Sequence, residues 1–221
     1  MLDSNRLLFA VLLLGPTGLS AQTGAQTAAD SGSFVVVHAN DTVAVERFAR
    51  TETRLEGTLA LRNPRKTSER YSAVIAPDAT LPLIEVTVRE GVDSGTVKSK
   101  VVQRARVIFK QDSAAVDEVG SAGIVTRLFG TEQGAIPYLN LSFALLEQAV
   151  RRARGAQVKN RLALFNLGGG QTVTAQLSPL GNDSLKLEIG DVRFHLKVDG
   201  DGRLLGGRIP AQDVVAERGR W

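Results

Sequence analysis

The amino-acid sequence predicts a mainly β fold. The expected form is a strongly curved antiparallel sheet, or half-barrel, of about eleven to thirteen strands, with one amphipathic α-helix packed on its concave face. Three observations lead there. From Phe34 onward, short runs alternate apolar and polar residues between turn signals, the period-2 pattern of strands covered on one face only. A single stretch, "IPYLNLSFALLEQAVRRARG" from Ile136 to Gly155, carries helical spacing instead. Aromatic residues are only 5% of the chain, so the core of so many strands must be built from Leu, Val, Ile and Ala.

The first element is not part of that fold. "MLDSNR" is a short polar segment with Arg6, "LLFAVLLLG" an apolar run too short to span a bilayer, and "GLSAQ" offers small residues for cleavage after Ala21. Residues 1–21 are therefore expected to be a signal peptide, which places the protein in the periplasm or secreted medium. Residues 22–33, small and polar, read as a flexible leader, and 34–218 as a single β-rich domain. The chain contains no cysteine, so no lipid-anchored cysteine, disulfide, thiolate nucleophile or Cys-based zinc site is expected. The net charge is +4, but both signs are mixed throughout. No basic block marks a nucleic-acid footprint, so a nucleic-acid partner is not expected.

The strands follow. In "TLPLIEVTVRE", Pro82, Ile84, Val86 and Val88 share a face. Glu46, Glu52 and Glu56 alternate with Arg50 and Arg54, which reads as a charge ladder on the outer face. The last third can be registered. "DSLKLEIG" buries Leu185, Leu187 and Ile189, and "DVRFHLKVD" buries Val192, Phe194, Leu196 and Val198. Gly190-Asp191 suits a two-residue type II′ hairpin, which sets Glu188 opposite Arg193 and Leu187 opposite Phe194. "VDGDGRL" suits a three-residue loop with Gly202 left-handed, pairing Val198 with Leu204 and Asp199 with Arg203. Gly206-Gly207 then reads as a bulge that returns Ile209 to the core.

No chemistry-bearing motif emerges. "VDGDG" lacks the later oxygen ligands of a calcium loop, and the hairpin accounts for both aspartates, so no metal ligand is assigned. "NLGGGQ", Asn166 to Gln171, lacks the helix start and Lys of a phosphate loop and reads as a flexible turn between strands. Of the two histidines, His195 lies between Arg193 and Lys197 on a wet face, and His38 ends an apolar run. Neither belongs to a recognisable triad, and no catalytic residue or cofactor is assigned. An integral outer-membrane barrel fits poorly, because aromatics are too few for two girdles and Gly219 and Glu217 precede Trp221 on its face.

The helix, near 141–154, sets Leu139, Phe143, Leu146, Val150 and Ala153 on one face. Glu147, Gln148, Arg151, Arg152 and Arg154 fall on the other. Asn140 or Ser142 can cap its start, Pro137 stops it backward, and Gly155 and the arginines suit its C-terminal end. Its apolar face needs the concave side of a curved sheet. That layout resembles the exported half-barrel carriers of the lipoprotein-localisation type, and related uncharacterised periplasmic β-rich domains. The resemblance implies an apolar cavity between helix and sheet that accepts a lipid or other acyl chain.

On that basis the expected function is non-enzymatic binding of an apolar or acyl-chain ligand, or of a partner presenting one. Phe143, Leu146, Val150, Phe194 and Leu196 would line the site, with Arg151, Arg152 and Arg154 at its rim. The alternatives are a structural or interaction domain with a fully packed core, or an accessory domain of a secreted hydrolase.

Overall fold

A computed structural model describes residues 30–62, 66–91, 99–120, 123–155 and 160–219. The signal peptide and the cleavage point after Ala21 lie outside these residues. Eight strands come first: β1 (Asp30–His38), β2 (Asp41–Arg50), β3 (Arg54–Leu61), β4 (Thr67–Val74), β5 (Leu83–Glu90), β6 (Lys100–Phe109), β7 (Ser113–Gly120) and β8 (Gly123–Gly130). A three-residue strand β9 (Ile136–Tyr138) and the helix α1 (Phe143–Gly155) follow. The chain closes with β10 (Arg161–Asn166), β11 (Gln171–Gly181), β12 (Ser184–Ile189), β13 (Val192–Val198), β14 (Leu204–Ile209) and β15 (Val214–Gly219).

All fifteen strands form one curved sheet that does not close, in the order β8-β7-β6-β5-β4-β3-β2-β1-β15-β14-β13-β12-β11-β10-β9. Nearly every neighbour is an antiparallel hairpin partner. The count exceeds the expected eleven to thirteen. One strand missed by periodicity is β9, which is too short to alternate and contains Pro137. That proline, read as a helix stop, occupies an edge strand, where its missing N–H costs no ladder bond.

β9 also explains the helix. It pairs parallel with β10, Leu164 opposite Ile136 and Asn166 opposite Tyr138. Parallel neighbours require a crossover, and α1 supplies it. The helix lies inside the curve, touching β2, β9, β10 and β14. Ser142 is the cap: its Oγ accepts from the Leu145 N–H at 3.3 Å. Leu139 falls before the helix, among the residues that enter it.

The C-terminal registers agree with expectation. Leu187 faces Phe194 and Glu188 faces Arg193, with Arg193 Nε 3.2 Å from the Glu188 carboxylate. Gly190 has φ 57° and Gly202 φ 80°, the left-handed backbone each turn demands. Val198 pairs with Leu204 across a register shift, and Ile209 is buried. One boundary differs. β1 begins at Asp30, inside the stretch read as a leader, because Asp30 is tied down by Arg218 at 2.8 Å and Arg151 at 3.3 Å.

The two edges of the sheet approach each other at one corner. Phe129 of β8 lies edge-on to Phe165 of β10 at 6.0 Å, and Phe165 to Phe109 of β6 at 5.4 Å. Thr172 at the start of β11 donates to Thr131 at 2.7 Å, just beyond β8.

Candidate binding cleft

The helix is enclosed far more completely than an amphipathic reading implies. Phe143 through Val150 are all buried. Glu147 and Gln148, expected on the wet face, are 0% and 2% exposed. Glu46 and Arg50, expected on an outer ladder, are buried on the inner face of β2 with Ala44 and Phe48. The rest of that ladder is outside, Glu52 exposed in the turn and Arg54–Glu56 an exposed pair at 2.6 Å.

These inward charges form two hydrogen-bonded networks, in which the buried Arg50 Nε alone of the charged groups' atoms finds no partner among the described residues. The Glu46 carboxylate accepts from Ser142 Oγ at 2.6 Å, Tyr71 Oη at 2.7 Å and the Ala144 N–H at 2.9 Å. It sits at the positive end of the helix, yet burial pushes its carboxyl above the ordinary value, against the lowering effect of these donors. The Tyr71 phenol is driven up by the same burial and by the adjacent carboxylate. Glu147 meets Arg50, accepts from Arg218 Nη1 at 2.6 Å and the Leu204 N–H at 2.9 Å, and pairs with Arg151 at 3.2 Å. Arg218 also lies over the Phe48 ring at 5.0 Å.

The residues expected to line a ligand cavity are brought together, but as packed core. Phe143, Leu146, Val150, Phe194 and Leu196 are all buried. Phe143 stands 5.5 Å from the Phe34 ring, and a Cβ on Gly207 would meet both Leu196 and Phe143 within 3.1 Å. Of the rim arginines, Arg151 pairs with Asp30 and Glu147. Arg152 donates to the Asp78 carbonyl at 2.8 Å, and Arg154 is exposed beside Gly202.

An apolar cleft does exist, at the other end of the concave face. The rows Glu69–Val88–Gln103 and Tyr71–Val86–Ala105 run across β4, β5 and β6 on the inner side. Leu139, just before α1, and Leu167, just after β10, stand over them and leave a cleft of about 70 Å³. Glu69 lines it. Burial raises its carboxyl above the ordinary value, and it has no hydrogen bond or ion pair among the described residues. Glu46 and Glu147 thus have partners, and Glu69 does not. Sequence reasoning placed Val86 and Val88 inward but could not find the cleft. Its lid comes from Leu139 and Leu167, one of them assigned to the helix and the other to a Gly-rich turn. That turn is confirmed, with the Gly168 N–H donating to Asn166 Oδ1 at 2.9 Å.

Other chemistry has little support in the geometry. His38 is exposed at the end of β1, and Asp199 Oδ1 accepts the Asp201 and Arg203 N–H groups at 3.0 and 2.9 Å, as a hairpin loop requires. Among the described residues no group of three His, Asp or Glu side chains could hold a metal ion, and no helix is long and apolar enough to cross a membrane.

No protein-family model matches the chain, and no curated protein matches it in sequence. Solved structures do resemble it. A DUF1089 family protein from Pseudomonas aeruginosa superposes with a TM-score of 0.52 at 11% identity, covering 78% of this chain and 91% of that one. A β-barrel-like protein of the domain of unknown function DUF1849 from Brucella abortus gives 0.46 at 11% identity, covering 87% and 95%. The likeness to the first establishes a shared β-rich fold.

Proposed function

We propose that this is an exported, non-enzymatic binding domain whose ligand is an apolar group entered into the cleft over β4–β6. The single observation that carries the reading is the unpartnered Glu69 carboxyl on the wall of an apolar cleft. At about 70 Å³ the cleft is well below the roughly 300–1,000 Å³ of small-molecule sites, so it suits a chain end or a side chain presented by a partner. A cation or hydrogen-bond donor on that group would meet the half-buried Glu69 carboxylate at the cleft wall. Export rests on the signal-like pattern of residues 1–21, and the compartment is periplasmic or extracellular.

The test is an NMR titration of the protein with hexylamine and with hexanoate. The amine is expected to shift the Val86 and Val107 resonances saturably, and more tightly than the acid. Ala105→Phe should abolish the effect by filling the cleft, and Glu69→Gln should remove the preference for the amine. Non-saturable shifts, or saturable shifts unaffected by Ala105→Phe, would overturn the reading. The packed helix would then favour a structural or interaction domain.

A further inference from the structure

The two edges of the sheet are built differently. β9 is three residues long and carries Pro137, both devices that protect an edge from pairing. β8 has eight residues, "GIVTRLFG", with no Pro and no Lys, and among the described residues it pairs only with β7. Ile124, Val125 and Leu128 are 67%, 55% and 69% exposed, and Val119, opposite Ile124, is exposed beside them. A long apolar edge of this kind is a template for another strand.

We propose that β8 is completed by the β8 of a second copy of this chain, the two strands running antiparallel about a two-fold axis at Thr126. The sequence of the edge is self-complementary in that register. Ile124 faces the partner's Leu128, and Leu128 faces the partner's Ile124. With Val119 and Ala115 behind them, each becomes a four-residue apolar row on the convex side. The central row is polar: Thr126 donates to Asp117 at 2.7 Å, which holds each carboxylate one strand back from the axis. On the concave side Arg127, already 3.7 Å from its own Glu118, faces the partner's Val125, beyond which lies the partner's Glu118. Charges of opposite sign therefore alternate along each row, and the two Arg127 side chains, diagonal neighbours across the axis, are each drawn back toward their own Glu118. A two-fold contact of this kind is closed, so it yields a dimer and not a fibre.

The experiment uses the purified protein. Sedimentation across a wide concentration range should show a dimer, with β8 amides protected from hydrogen exchange in it. Leu128→Lys, at a highly exposed position, should give a folded monomer with the circular-dichroism spectrum of the wild type and a melting temperature that no longer depends on protein concentration. Because the chain has no cysteine, Thr126→Cys introduces a lone thiol. Two such residues paired at the axis lie within disulfide reach, so the variant should form a covalent dimer under mild oxidation. Val215→Cys, exposed on β15, should not. A wild-type monomer at all concentrations would overturn the proposal. So would a dimer that survives Leu128→Lys, or Thr126→Cys cross-linking no faster than Val215→Cys.

Discussion

Glu46 concentrates the tension between burial and hydrogen bonding in this core. Its folded-state carboxyl is raised above 4.5, so the folded protein binds a proton there more tightly than the unfolded chain. Its contribution to stability is therefore fully present below about 4.5 and is lost as pH rises toward the folded value. Chemical denaturation of the wild type and of Glu46→Gln at several pH values checks this. The difference between the two should change across that window, and a pH-independent difference would contradict it. Glu147→Gln should cost about 3 kcal/mol, because it takes the nearest carboxylate from the buried Arg50 guanidinium and leaves it only Asp30 at 3.6 Å and the Ala144 carbonyl at 3.2 Å. Parity in the sequence already held the warning: Glu46 and Arg50 alternate with the inward Phe48, and Arg54–Glu56 changes face only after the turn at 51–53. The charge ladder was visible; what was not visible is that α1 brings Glu147 and an N-terminus to meet it.

At the scale of elements, the last hairpins were readable because turn chemistry and alternation specify the same register. Reversing the charges of Glu188 and Arg193 together should leave the denaturation midpoint nearly unchanged, since the pair lies on the wet face with Arg193 exposed. Leu187→Ala or Phe194→Ala should cost about 2–5 kcal/mol in denaturant melts. The helix was readable in span but not in environment. Helical periodicity reports which residues are apolar, and Glu147 and Gln148 are polar yet enclosed by partners drawn from distant strands and from the loop between β4 and β5. Gln148 donates to the Ala79 carbonyl at 2.9 Å, 69 residues away. Since Ala149 is buried in the packed face, Ala149→Leu should overpack it and cost about 1–3 kcal/mol in the same melts. A gain in stability would instead reveal free volume around the helix.

For the whole molecule, class and curvature were legible because one-sided strands and a lone amphipathic helix leave few arrangements. The cleft was not legible, since its lid is assembled from Leu139 and Leu167, which no pattern relates. N-terminal sequencing of exported protein should begin at Gln22 or within the next few residues. β1 and β15 are neighbours in the middle of the sheet, Ser33 opposite Gly219, so the first and last strands lie side by side. Joining them by a short linker and opening the chain at 131–134 would give the order β9 through β15, then β1 through β8. Every strand would then follow its spatial neighbour, and from β10 to β8 the sheet would be a single antiparallel meander, entered by the parallel crossover from β9. The natural chain is that meander cut at its centre and sewn at its rims. A circular permutant made at this point should therefore keep the native fold while replacing the one long-range strand pairing with a local one, and it should fold faster.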